Sequence, residues 1–133
     1  MLVSWTATDL KSRRFSAIEQ SSDVADLTDH FTALHSHGQG YLEVRLQGSE
    51  FPLLTLGFQD DQAVIHLFSN AERSSLLVGD GTVPANAVVQ VPIMDEPTVF
   101  SGGCALAVDR AWALARSFIQ AGRPGELGEW REL

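Results

Sequence analysis

The sequence predicts an α+β domain, a single antiparallel sheet of about five or six strands packed with two helices. Two stretches, near 22–36 and 109–121, repeat apolar residues at helical spacing. Between them, short segments alternate apolar and polar residues as strands of a half-buried sheet do. The second helix is apolar along one face only, so that face must pack on something, and the sheet is the available partner.

The elements follow in order. LVSWTAT (2–8) and FSAIEQ (15–20) place β-branched and aromatic residues between polar ones, as short strands do. Ser21, Ser22 and Asp23 then offer helix N-caps, and Val24, Leu27, Phe31 and Leu34 follow at helical spacing. Asp26, Asp29 and His30 take the opposite face, and Gly38 and Gly40 stop the helix. YLEVRL (41–46) alternates Leu42, Val44 and Leu46 with Glu43 and Arg45. LLTLGF (53–58) and AVIHLF (63–68) flank a hairpin tip at residues 59–62, which lacks the favoured Asn-Gly pair. SLLVGDGTVP (75–84) reads as a short strand or turn entering a loop. AVVQVPIM (87–94) is another strand, with Pro92 marking an edge or an end.

The last helix is the clearest element. Asp109 is placed to cap it, Gly122 to close it, and Pro124 lies just beyond. At 100° per residue, Ala111, Trp112, Leu114, Ala115, Phe118 and Ile119 fill one arc, while Arg110, Ala113, Arg116, Ser117 and Gln120 fill the other. Past the helix stop, Trp130 implies a tail that folds back and is pinned by a largely buried indole, a burial of about 2–3 kcal/mol. Leu127, Trp130 and Leu133 are three apart, a spacing that suits a turn better than a strict strand alternation and leaves both readings open.

A chain of 133 residues with 44% apolar and 20% charged side chains is most simply one soluble domain, residues 1–133. No apolar run spans a bilayer and the N-terminus lacks a signal-peptide pattern, so the expectation is a cytoplasmic protein without a membrane partner. Seventeen acids against nine bases give a net charge of −8. That disfavours nucleic acid, whose binding draws on cationic side chains, and suits solubility or a basic protein partner.

The search for chemistry finds no catalytic set, no metal site and no cofactor motif. His30, His35 and His37 lie close together where a helix ends, without a carboxylate or Cys at ligand spacing, and read as solvated. His66 falls within a strand pattern and reads as a sheet-face histidine. The single Cys104 precedes an apolar run and reads as a small buried thiol. GDGTVP (79–84) lacks the Lys and Ser/Thr of a phosphate loop and reads as a turn. The pairs Asp60-Asp61 and Asp95-Glu96 leave three readings open: solvated loops, a divalent-ion or pKa-shifted pair, or recognition charges.

The stretch Leu76–Leu133 carries a resemblance. LLVGDGTVP (76–84), VVQVPIMDEPTVF (88–100) and AVDRAWALARSFIQAGRPGELGEWREL (107–133) resemble the first-numbered immunity-protein family of bacterial polymorphic toxin systems. The last run is the most specific, with Trp112 early in the helix, then Gly122, Pro124, Trp130 and Leu133. The resemblance implies an α+β fold with a C-terminal tryptophan, encoded beside a toxin that it neutralises, often a nucleic-acid deaminase. The family's toxin contacts vary, so the resemblance transfers no binding or catalytic residue. It implies an antitoxin that binds its cognate toxin stoichiometrically and uses no cofactor. Such a toxin needs a basic groove, and Asp60, Asp61, Asp80, Asp95 and Glu96 stand at predicted loop tips where they would face it. The rival expectations are a small enzyme using a carboxylate pair or His66, and a secretion chaperone or adaptor that binds without inhibiting.

Overall fold

The computed structural model describes residues 2–133 and has the expected α+β class. Ten strands and two helices run in the order β1 (Val3–Thr8), β2 (Phe15–Ser22), α1 (Val24–Ser36), β3 (Gln39–Leu46), β4 (Leu53–Gln59), β5 (Gln62–Phe68), β6 (Ser74–Leu77), β7 (Val88–Ile93), β8 (Glu96–Ser101), β9 (Leu106–Ala107), α2 (Val108–Ala121) and β10 (Trp130–Glu132). The main sheet is antiparallel and larger than the sequence suggests. It has eight strands in the order β10-β6-β5-β4-β3-β1-β2, with β9 pairing β5 off this path. β7 and β8 form a separate two-stranded hairpin.

The sheet's two faces are covered differently, and this is why several strands escape a simple alternation. On one face, Val3, Trp5, Ala7, Leu42, Val44, Leu54, Leu56, Phe58 and Ile65 meet the apolar arcs of both helices in the main core. Leu27, Phe31 and Leu34 come from α1; Ala111, Trp112, Ala115, Phe118 and Ile119 come from α2. On the other face, the β7–β8 hairpin sets Val89 and Val91 against Val64, Leu76, Cys104 and Ala105 in a second, smaller core. Gly57 makes that layer possible: a Cβ there would stand 2.4 Å from the Pro92 carbonyl oxygen.

The helix starts differ from one another. Asp23 caps α1, accepting from the Asp26 N–H, as its type and position suggest. Asp109 does not cap α2. Its N-cap is Ala107, without a side-chain cap bond, and Asp109 lies exposed in the first turn, where its charge suits the helix dipole. Gly122 closes α2 in the left-handed conformation, φ 67°, its N–H bonded to the Phe118 carbonyl at 2.7 Å.

The tail folds back as expected but is held by different means. Pro124 begins a 3-10 turn, Pro124–Glu126, and its carbonyl accepts the Trp130 indole N–H at 2.9 Å. Trp130 is half-buried rather than largely buried, and the side chain pinned in the core is Leu127, at 8% exposure. Residues 130–132 form a strand, not a turn, pairing with β6 through Trp130↔Leu77 and Glu132↔Ser75. Leu133 is exposed, although its N–H reaches the Ser74 carbonyl. No helix among the described residues is long and apolar enough to cross a membrane.

Candidate functional site

Four turns converge at one end of the sheet. The β4–β5 turn is two residues, Asp60-Asp61, closed by the pair Gln59↔Gln62. Asp60 takes φ 55°, which a short polar side chain tolerates better than most, and its N–H donates to the Gly38 carbonyl at 2.7 Å. This ties the β4–β5 turn to the turn that ends α1. The β7–β8 turn, Met94-Asp95, is closed by Ile93↔Glu96. The Asp95 carboxylate accepts the Phe15 N–H at 2.8 Å and so anchors the hairpin tip to the start of β2. From the β1–β2 loop, the Arg13 guanidinium donates to His37 Nδ1 at 3.0 Å, because it has no acceptor of its own.

These turns enclose a cavity of about 260 Å³, lined among others by Arg13, His37, Asp60, Met94 and Asp95. Arg13, Asp60 and Met94 are the three non-glycine residues with positive φ among those described, and all three line it. Strained backbone persists where the surrounding structure over-determines it, and functional sites are common hosts. The cavity joins one acidic residue from each of the two predicted pairs.

Two of the remaining predicted acids, Asp61 and Asp80, lie around the start of α2. The Asp61 carbonyl accepts the Val108 N–H at 3.1 Å, next to the short β5–β9 pairing. Asp80, from the β6–β7 loop, accepts the Ala107 N–H at 3.0 Å with one oxygen, and the Thr82 N–H and hydroxyl with the other. Burial pushes the Asp80 carboxyl up, but these hydrogen bonds outweigh it and hold it below the usual carboxylate range. Asp80 is therefore a loop staple that ties the β6–β7 loop to Ala107, the N-cap residue at which α2 starts. Glu96 is exposed at the start of β8. The structure thus brings Asp60 and Asp95 to one cavity and sets Asp61 and Asp80 on either side of residues 107–108.

His37 is exposed, as expected, whereas His30 and His35 are less solvated than their positions suggest. His30 packs on Trp5 with 4.9 Å between centroids, and its Nε2 lies 2.9 Å from the Thr8 carbonyl. His35 is half-buried against Phe31 and Phe58. His66 lies on the sheet face, as expected, with Phe68 and Phe100 beside it and no hydrogen-bond partner for its buried Nδ1 among the described residues. Burial pushes its pKa below the usual imidazole value. Cys104 is buried, as expected. No group of three or more His, Cys, Asp or Glu among the described residues is arranged to hold a metal ion.

One polar cluster was not anticipated. Thr6, Glu43, Thr55 and His66 stand opposite one another across β1, β3, β4 and β5 on the hairpin side. Glu43 accepts from the Thr6 hydroxyl at 3.0 Å and the Tyr41 hydroxyl at 2.8 Å. Burial, then the Glu43 carboxylate, push the Tyr41 hydroxyl above the usual phenol range. The signal was Tyr41-x-Glu43, since residues two apart on a strand share a face.

No family model matches this chain, and no curated protein matches it.

Proposed function

We propose that this protein is an immunity protein, an antitoxin that binds a cognate polymorphic toxin and blocks it stoichiometrically. The toxin is a basic, nucleic-acid-directed domain, of which a deaminase is the leading kind. The observation that carries this reading is the convergence of Asp60, Asp61 and Asp95, from two separate turns, at one end of the sheet. Few of the carboxylates are neutralised: the described residues form two ion pairs, Arg45–Glu19 at 4.0 Å and Arg123–Glu126. The uncompensated charge is available for steering and for occupying a groove built for a phosphate backbone.

The resemblance over Leu76–Leu133 supports the same reading. Its residues form one closing unit: α2 with Trp112 in the core, the Gly122 stop, and the Pro124–Trp130 hydrogen bond that returns the tail to β6. Self-protection leaves little toxin free, so a dissociation constant of about nanomolar or tighter is expected. The test is to identify the product of the adjacent gene and titrate purified toxin domain with this protein. Full inhibition near one equivalent supports the antitoxin. Binding without inhibition points to the chaperone or adaptor, and a neighbour that is no toxin removes the basis of the reading.

A further inference from the structure

We propose that the outer face of the β7–β8 hairpin is the apolar centre of the toxin interface, with the acidic turns as its rim. This rests on the antitoxin reading and adds the surface through which it acts. In the registers Val88↔Ser101 and Gln90↔Val99, Val88 and Val99 are diagonal neighbours on the side away from the sheet. They are 71% and 60% exposed, and Met94 at the hairpin tip is 48% exposed. Residues 81–108 carry only two charges, Asp95 and Glu96, and both stand at the tip. Everything else on the hairpin is uncharged, in a chain where 20% of residues are charged.

The face is also presented rigidly. Val89 and Val91 are buried beneath it, the Pro92 carbonyl sits over Gly57, and Asp95 is tied to the Phe15 N–H. A preorganised apolar patch loses little freedom on binding, and an uncharged centre inside a charged rim is how tight interfaces are built. Charge selects the occupant. Two copies meeting on this face would bring together two chains of charge −8, each with Asp95 and Glu96 at the tip. A surface with an apolar centre and flanking Lys or Arg fits both features.

The experiment measures affinity and inhibition for the purified toxin domain encoded beside this chain. The variants are Val88→Thr with Val99→Thr, Val88→Lys with Val99→Lys, and Ile18→Lys. Ile18, 72% exposed on β2, serves as an apolar control away from the hairpin. The expected result is a weakening of about 10-fold for the Thr pair and more than about 100-fold for the Lys pair, with Ile18→Lys unchanged. Thermal melts verify that each variant is folded; the Thr pair keeps the shape of the valines if the Lys pair does not fold. Equal affinity in the wild type and the Thr pair, or an effect shared by Ile18→Lys, overturns the proposal while leaving the antitoxin reading intact. A wild type that sediments as a dimer broken by the Lys pair also overturns it, by giving the face to a second copy. Wild type that fails to bind the toxin defeats the antitoxin reading itself.

Discussion

The rings of Phe31 and Trp112 lie parallel, 4.4 Å between centroids and 6° apart, so that α1 and α2 meet directly over the sheet. Both side chains are buried, Trp112 at 7% exposure and Phe31 at 4%. Trp112→Ala removes the ring that joins the two helices and is expected to destabilise by about 3–5 kcal/mol in chemical denaturation. A double-mutant cycle with Phe31→Leu and Trp112→Leu should show a coupling of about 0.5–1.5 kcal/mol. A loss below about 1 kcal/mol for Trp112→Ala would show that the helices do not depend on this contact.

The tail gives a second prediction. Trp130 is half-buried and donates to the Pro124 carbonyl, so Trp130→Phe isolates one hydrogen bond and should cost about 1 kcal/mol. The amides of residues 130–132 should exchange faster in the variant, while those of β4 and β5 are unaffected. Unchanged exchange in the tail would mean that β-pairing to β6 and the buried Leu127 hold it alone.

Gly57 gives a third. A methyl group there meets the Pro92 carbonyl at a distance no Cβ adopts, so the hairpin must lift off β4. Gly57→Ala is expected to destabilise by about 1–3 kcal/mol, with the loss of protection concentrated in β7 and β8. Loss spread evenly through α1 and α2 would place the strain elsewhere.

The sequence makes some of these relationships visible and hides others for physical reasons. The face of α2 is legible because one neighbouring layer buries one arc of it. β1 is legible as a strand, because Val3, Trp5 and Ala7 alternate with Ser4, Thr6 and Thr8, but its burial on both faces is not: the polar side is covered as well, with Ser4, Thr6 and Thr8 bonding laterally to Gln47, Glu43 and Tyr41. β9 is two residues long and β10 three, and each exists through its partner strand rather than its own propensity. The acids are legible as loop residues, but the meeting of Asp60 with Asp95 depends on the hairpin crossing the sheet over Gly57. Nothing local to Asp60 or Asp95 encodes that. Asp80 shows the opposite limit: its type suggested a free recognition charge, whereas its oxygens bind the Ala107 and Thr82 N–H groups.

Asp80 also sets a pH dependence. Its folded pKa lies below the ordinary carboxylate value, so its contribution to stability is present above the unfolded pKa and is lost as pH falls through the folded one. His66 adds a dependence at higher pH. Its folded pKa is also lowered, so the unfolded chain takes up a proton first and stability falls as pH drops below about 6.5. Urea midpoints should therefore decline in two ranges. His66→Gln should remove the decline just below neutrality, and Asp80→Asn should flatten the acidic one. Curves parallel to wild type in both variants would assign the acid sensitivity to other groups.

The acidic end should govern encounter with the toxin more than the lifetime of the complex. Asp60, Asp61 and Glu96 are exposed, so their fields reach the approaching partner through solvent and are screened over about 8 Å at physiological ionic strength. Association should slow as salt rises. Asp60→Asn with Asp61→Asn, and Asp95→Asn with Glu96→Gln, should each lower the association rate while leaving dissociation nearly unchanged, since rim charges act mainly through encounter. The second pair needs a stability control, because Asp95 also holds the Phe15 N–H; an Asn oxygen can accept that bond in its place. Stopped-flow binding of the toxin domain across a salt series separates the cases. A rise in dissociation in either variant would mean that its acids are desolvated in the complex and paired there. Association flat with salt and equal in wild type and both variants would remove steering altogether, and leave recognition to shape and to the uncharged hairpin face.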